Sequence, residues 1–142
     1  MSAENEVRDA SGKFYAALNR MANGDAGPMA NVWVMNAEAT AHHPIGGRDR
    51  TYETVIASFA KVAEIAGGGE IRITDQTIDV GGDMAVETGV ETGELVIAGH
   101  AASIHHRVTN VYRKGADGWR LQHHHADLSP AMLVILQKLS AA

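Results

Sequence analysis

The sequence contains no cysteine, and only 5% of its residues are aromatic. The lack of cysteine excludes disulfides, thiol nucleophiles and thiolate metal sites, and it leaves the redox compartment open. No run of lysine and arginine occurs, and the formal net charge is -5. Nucleic acids and anionic membranes both attract clustered positive charge, so we expect neither as a partner.

Long apolar runs are missing as well. No segment approaches the ~20 apolar residues of a membrane span, and residues 1–8 lack the apolar core of a secretory signal. We therefore expect a cytoplasmic protein. What remains is an ordinary globular composition, with 142 residues, 45% of them apolar and 20% charged. This length suits one domain, spanning residues 1–142, with a real hydrophobic core.

Three segments of the first half carry apolar residues at helical spacing. The first covers residues 3–22 and ends at Asn23-Gly24. A second helix is predicted to open at residues 25–28, where a capping residue and a first-turn proline occur. A third runs from about Thr51 to Ala66, with Asp49 or Thr51 as its cap. Gly67-Gly68-Gly69 is expected to end it.

Period-two alternation dominates the rest of the chain and favours strands. A short strand over residues 38–42 precedes the third helix, and consecutive antiparallel strands then start near residues 71, 84, 101 and 118. A parity switch at residues 75–77 predicts a bulge, and bulged strands bend. Helices on one face of a strongly curved sheet make an α+β fold with a conical hollow.

The predicted strand at residues 118–127 carries the main candidate residues of the pocket. Trp119 and Leu121 alternate with polar neighbours, so strict alternation places His123 and His125 on the apolar side. Buried imidazoles require hydrogen-bond partners, which a partly wet pocket provides. Asp127 shares the parity of His125 and could orient a histidine, or it could merely end the strand.

A metal site is the alternative interpretation of the same pair. Two strand residues two apart have Cβ atoms about 6.5–7 Å apart, which allows His123 and His125 to share an ion. A third ligand could come from His43, His106 or Asp127. We favour pocket lining without an ion, and we assign no metal and no cofactor.

His42 and His43 are adjacent at the end of the short strand, so at most one of them enters the pocket. A neutral histidine is a competent base at pH 7. The alternative is a loop histidine that caps a backbone group. The catalytic candidates are therefore His43, His123, His125 and Asp127, and the candidate pocket residues are Tyr15, Trp33, His106, Asn110, Tyr112 and Trp119.

A last helix is predicted to begin at Ser129-Pro130. Residues 132–136 are five apolar residues in succession, so this helix is apolar all round and one face cannot bury it. We expect it to cover the pocket mouth or to meet a second subunit.

Several local segments, taken in this order, resemble one superfamily. They are the Gly24-Asp25 turn, residues 39–47 (ATAHHPIGG), residues 107–113 (RVTNVYR), and Gly118 to Leu121 followed by His123-x-His125. They resemble the NTF2-like superfamily in its SnoaL-like and ketosteroid-isomerase-like branch, and the last block is also similar to the association domain of calmodulin-dependent kinase II. The resemblance implies an NTF2-like cone, with three N-terminal helices packed in a strongly curved antiparallel sheet, plus a C-terminal helix.

The ketosteroid isomerase branch implies a carboxylate base just before the proline of this loop, where His43 stands here. Tyr15 lies close to that family's tyrosine donor, and the acidic donor position falls near Thr109 or Asn110. The base has thus changed type and the acidic donor is missing. We do not expect a steroid isomerase.

This fold hosts several chemistries and non-catalytic domains, so the resemblance leaves open whether the protein is an enzyme. It implies a SnoaL-like pocket protein for a small apolar molecule. If catalytic, it would isomerise, dehydrate or cyclise that molecule, with His43 as base, His123 or His125 as donor, and Tyr15 or Asn110 as hydrogen-bond partner. The alternative is a non-catalytic ligand-binding or oligomerisation domain. A homodimer through the outer sheet face is expected in either case.

Overall fold

A computed structural model describes residues 2–141. Its elements, in chain order, are α1 (Ala3–Ala22), a 3₁₀ helix (Gly27–Asn31), β1 (Thr40–His42), β2 (Arg48–Arg50), α2 (Tyr52–Ile65), β3 (Ala66–Gly81), β4 (Met84–Ile97), β5 (His100–Gly115), β6 (Gly118–Ala126) and α3 (Pro130–Ala141). The predicted α+β class is confirmed: helices pack on a curved six-stranded sheet, and a C-terminal helix follows. Among residues 2–141, none of the helices combines the length and the hydropathy that a membrane span requires.

The helices begin and end close to the predicted positions. The hydroxyl of Ser2 caps α1 by accepting a hydrogen bond from the Asn5 backbone N–H, and Thr51 caps α2 in the same way. The second predicted helix is only a five-residue 3₁₀ helix with Pro28 in its first turn. Gly67-Gly68-Gly69 belongs to β3, because α2 already ends at Ile65.

The sheet has the order β2-β1-β6-β5-β4-β3. All neighbours are antiparallel, as expected, except β1 and β6, which are parallel. The chain leaves β1 and returns beside it only after four other strands, and it arrives in the same direction. The parallel register places Thr40 opposite His123 and His42 opposite His125.

The curvature of the sheet has two local causes on β3 and β4. The predicted bulge is confirmed between Thr74 and Thr77, where the register shifts. At Gly93, φ is 145°, and a Cβ atom there would lie 1.9 Å from the carbonyl oxygen of Glu70. Only glycine permits this close approach of the two strands.

The inner face of the sheet carries polar residues at its centre. On β5 the predicted alternation holds, since His106, Val108, Asn110 and Tyr112 are all buried. On β4 the apolar side chains of Val86 and Val90 face outward. The buried face of β4 consists instead of Ala85, Glu87, Glu91, Leu95 and Ile97.

A bulge in β6 decides which histidines face inward. Val111 pairs with His123, but Tyr112 pairs with Leu121, so Gln122 is an extra residue in the ladder. A bulge re-aims the side chains that follow it. The expectation that His123 and His125 line the apolar side is therefore wrong: His124 is buried, whereas His125 is exposed.

Candidate functional site

A cavity of about 70 Å³ lies between the helices and the inner face of the sheet. Its wall is largely apolar and includes Phe59 of α2 and Met132 of α3, so α3 covers part of the cavity. Five polar side chains interrupt this wall, namely His43, Ser58, Glu91, His106 and His124. An apolar wall with a few converging polar groups is the lining typical of a small-molecule site, and this volume suits only a very small molecule.

Glu91 is the one acidic side chain in this wall and is only 3% exposed. Its Oε2 accepts a hydrogen bond of 2.8 Å from the Tyr15 hydroxyl. Burial raises the pKa of Glu91 to about 7; the Tyr15 hydrogen bond opposes this rise and the charge of Glu87 adds to it. The carboxyl can therefore gain or lose a proton near neutral pH.

His106 lies directly opposite Glu91 across β4 and β5. Its Nδ1 is 3.2 Å from Glu91 Oε1, but the two atoms are not aligned for a hydrogen bond, and Nδ1 has no hydrogen-bond partner within residues 2–141. Burial lowers the pKa of His106, which favours the neutral ring. An unpaired buried nitrogen costs about 1–3 kcal/mol, so a polar atom of a ligand would be stabilised there.

Behind the cavity wall, Glu87 is fully buried and accepts four hydrogen bonds. Oε1 accepts from Asn110 Nδ2 at 2.9 Å and from the Tyr112 hydroxyl at 2.8 Å. Oε2 accepts from Ser11 Oγ and from Gln76 Nε2, both at 2.6 Å. Since all four partners donate, Glu87 is held as an ionised acceptor that fixes the amide of Asn110.

Asn110 in turn orients two groups. Its Oδ1 lies 2.6 Å from His124 Nδ1, and an amide oxygen can only accept, so Nδ1 carries the proton and Nε2 keeps its lone pair. Its Nδ2 donates to the Tyr15 hydroxyl at 3.1 Å, which leaves the Tyr15 proton for Glu91. Burial, reinforced by nearby histidines, holds the pKa of His124 well below its ordinary value. The His124 ring is therefore neutral.

His43 follows β1 and reaches the cavity from the loop. Its Nε2 lies 2.8 Å from Asp49 Oδ2 and 3.0 Å from Ser58 Oγ. The Ser58 hydroxyl donates to the Val55 carbonyl, so it and the carboxylate both accept from Nε2–H. In the neutral ring, Nδ1 then holds the lone pair that can accept a proton.

The family model of the SnoaL-like domain matches residues 7–132. The chain belongs to this family. Its fold is that of the NTF2-like superfamily, as the sequence predicted. No curated protein matches the chain closely enough to count as a relative.

Three solved structures illustrate the relation. A protein from Streptomyces avermitilis, named provisionally as a dehydratase from the NTF2-like family, is 26% identical to this chain, with a TM-score of 0.79 over 90% of this chain and 96% of that chain. A protein from Thiobacillus denitrificans, named provisionally as a calcium/calmodulin-dependent protein kinase type II association domain, is also 26% identical, with a TM-score of 0.71 over 85% and 93%. The CaMKII hub of S. rosetta, at 20% identity, shares the fold with a TM-score of 0.72 over 89% and 97%.

Three of the four predicted catalytic residues lie outside the cavity of the SnoaL-like domain. His123 and His125 occupy the outer face because of the bulge at Gln122. Asp127 forms an ion pair of 2.8 Å with Arg107 Nε and orients no histidine among the described residues. Of the catalytic candidates, His43 lines the cavity; its catalytic role stays a prediction.

The predicted pocket residues divide into three groups. His106 lines the cavity, and Tyr15, Asn110 and Tyr112 lie behind its wall in the hydrogen-bond network. The two tryptophans do not line it. Trp33 packs between the rings of Phe14 and Phe59, and Trp119 donates to Glu6 from the far end of β6.

Sequence analysis missed Glu91, Glu87 and His124. One signal for the two glutamates was present, because Leu95 and Ile97 share their parity along β4 and are apolar. No such signal exists for His124, whose orientation depends on the bulge.

Three other histidines, His42, His123 and His125, place ligand atoms within 4.8 Å of one another and could hold a metal ion.

Proposed function

We propose that the SnoaL-like domain catalyses proton transfer on a small, largely apolar molecule bound in the cavity, with dehydration as the leading reaction and isomerisation or cyclisation as variants. The observation that carries the proposal is Glu91, a carboxyl group on an apolar wall with a pKa of about 7. General acids and bases work best when their pKa lies near the working pH. The Streptomyces avermitilis neighbour, provisionally named a dehydratase, supports the choice of reaction.

In the proposed dehydration, His43 Nδ1 removes a proton from the carbon next to a carbonyl group. Protonated Glu91 donates its proton to the hydroxyl group on the adjacent carbon. The C–O bond breaks, a C=C bond forms and water leaves. His43 then holds one proton more and Glu91 one fewer, and transfer between them through solvent restores the starting state.

His106 and His124 position the substrate in this proposal. Both rings are neutral, so each can accept or donate one hydrogen bond without adding charge to the cavity. The unpartnered Nδ1 of His106 would bind the carbonyl or hydroxyl oxygen of the substrate. In this proposal Glu91 takes the donor role that the sequence assigned to His123 or His125, and His106 and His124 hold the substrate.

The test is a proton NMR assay in D₂O with a panel of the smallest acyclic β-hydroxy ketones. It follows both loss of water and exchange of the hydrogens next to the carbonyl. Glu91→Gln and His43→Ala should lower the rate by about 100-fold or more. His100→Ala, which changes the histidine that begins β5 and is not part of the cavity wall, should retain the wild-type rate. Wild-type rates in Glu91→Gln would remove Glu91 from the chemistry.

A second candidate is a non-catalytic oligomerisation domain. Three large apolar residues in and before α3, Leu128, Val134 and Leu139, are 59%, 49% and 40% exposed, and two structural neighbours are named as hub or association domains. We propose a homodimer through α3 for this case. In sedimentation velocity, Val134→Glu should then reduce the oligomer, whereas Val86→Glu tests the outer sheet face expected from the sequence.

A further inference from the structure

Three histidines converge on the outer face of the sheet, where β1 and β6 run parallel. The register places His42 directly opposite His125, and His123 lies two residues before His125. The ring centroid of His42 is 4.9 Å from that of His123 and 4.7 Å from that of His125. One nitrogen from each ring lies within 4.8 Å of the others.

We propose that His42, His123 and His125 form a binding site for a divalent transition metal of the Zn²⁺ class. Imidazole nitrogen is a preferred ligand of zinc, copper and nickel. Three histidines with water in the fourth position complete a tetrahedral zinc site. The site is separate from the cavity, because His124 points inward from the same strand while its two neighbours point outward.

The spacing of the rings fits such an ion. Zinc–nitrogen bonds of about 2.0–2.1 Å in a tetrahedron place neighbouring nitrogens about 3.3 Å apart. The Nδ1 atoms of His42 and His125 are already 3.4 Å apart. His123 must approach by a rotation of its side chain, and His125 is exposed and free to adjust.

Thr40 contacts His123 at Nδ1, the ring nitrogen that would not bind the metal. Its Oγ1 lies 2.7 Å from His123 Nδ1, and with the proton on Nδ1 the lone pair of Nε2 is free for a metal. Burial and the neighbouring histidines also lower the pKa of His123 and of His42. Neutral rings are what a metal requires, because a protonated nitrogen cannot be a ligand.

Arg48 competes with the metal. Its Nη1 lies 2.7 Å from His42 Nε2, and a guanidinium group only donates, so it occupies that lone pair and leaves the proton of His42 on Nδ1, facing His125. An ion bound at Nδ1 must displace this proton to Nε2 and break the arginine contact. Arg48 is exposed and can move away. Its removal should therefore strengthen metal binding.

A bound ion would join two strands that few contacts hold together. β1 has only three residues, and it is followed at once by His43, which lines the cavity. An ion that bridges His42 of β1 to His123 and His125 of β6 would fix the start of the loop that carries His43. The expected consequence is a higher melting temperature with metal than without it.

The test is isothermal titration calorimetry of the untagged full chain with ZnCl₂ alone. We expect one Zn²⁺ per chain, binding at least about ten-fold more weakly in His125→Ala and His123→Ala and unchanged in His100→Ala. His125 is exposed, so its replacement should leave the fold intact. Arg48→Gln should bind Zn²⁺ more tightly than the wild type.

A second measurement follows the histidine side chains by NMR during the same titration. The signals of His42, His123 and His125 should shift together, and the melting temperature of the wild type, but not of His125→Ala, should rise. Equal affinity in His125→Ala and the wild type, or no binding at 0.1 mM Zn²⁺, would overturn the proposal.

Discussion

Glu91 and His106 face each other across β4 and β5, with Oε1 and Nδ1 3.2 Å apart and both side chains buried beside an apolar cavity. Burial acts on the two groups in opposite directions, raising the pKa of the carboxyl and lowering that of the imidazole. Both groups therefore favour the uncharged form. An uncharged pair beside an apolar cavity can exchange a proton with a bound molecule without leaving a buried charge beforehand.

Stability should fall as the pH rises through neutrality. The pKa of Glu91 is about 7 in the fold against an ordinary value of 4.5. The stabilisation from its protonated form is thus fully present below about pH 4.5 and is lost as the pH passes through about 7; it amounts to roughly 3 kcal/mol.

Glu91→Gln stays uncharged at every pH, and its side chain can still accept the hydrogen bond from Tyr15. Its free energy of unfolding in urea should vary less between about pH 5 and 8, and exceed that of the wild type above pH 7. Identical pH profiles would contradict this expectation.

Loss of the Glu87 carboxylate should destabilise the fold severely. Glu87→Ala leaves three buried donors (Ser11, Asn110 and Tyr112) and the half-buried amide of Gln76 without their acceptor, and each unsatisfied buried group costs about 1–3 kcal/mol. We expect a loss of roughly 3 kcal/mol or more in chemical denaturation. Glu94→Ala is the matched control, since Glu94 is exposed on the same strand and its replacement should change stability by less than about 0.5 kcal/mol. Similar losses in both variants would show that the network contributes little.

Two glycine substitutions should change stability in opposite directions. Gly93→Ala forces a Cβ atom against the Glu70 carbonyl oxygen at a φ of 145°, so it should destabilise by several kcal/mol and flatten the sheet. Gly12→Ala lies on an exposed part of α1 with open space around it, and it should stabilise by about 0.5–1 kcal/mol. Melting temperatures of the two variants test this. A neutral Gly93→Ala would contradict the steric origin of the curvature.

Asp49→Asn should impair His43 without disturbing the fold. The new amide can present its NH₂ group to Nε2, which favours the proton on Nδ1 and removes the lone pair proposed to act as base. In the dehydration assay, Asp49→Asn should therefore lose most of the rate while its melting temperature stays near the wild-type value. Retention of the full rate would show that the tautomer of His43 does not matter.

Local apolar spacing was sufficient to predict α1, α2 and the alternation along β5, because each depends on residues within a few positions of one another. Local apolar spacing could not predict which way His123, His124 and His125 point. That orientation depends on the extra residue Gln122, and whether a strand bulges is decided by its pairing with β5. Strict alternation therefore assigned the wrong histidines to the cavity.

The buried glutamates escaped sequence analysis for a different reason. Charged residues are almost never fully buried unless partners satisfy them. The partners of Glu87 and Glu91 include Ser11 and Tyr15 on α1 and Asn110 on β5, which are far away in the sequence. Only the folded arrangement of α1 on the sheet brings these donors to the two carboxyl groups, so the polar centre of the cone could not be derived from β4 alone.

The most direct test is an NMR titration of the glutamate side-chain carboxyl carbons, with Glu91→Gln to assign the signal. One carboxyl should titrate with a midpoint near pH 7, and that signal should vanish in the variant. A midpoint for Glu91 near 4.5 would contradict proton exchange by this carboxyl at neutral pH, and with it the proposed acid–base function of the cavity.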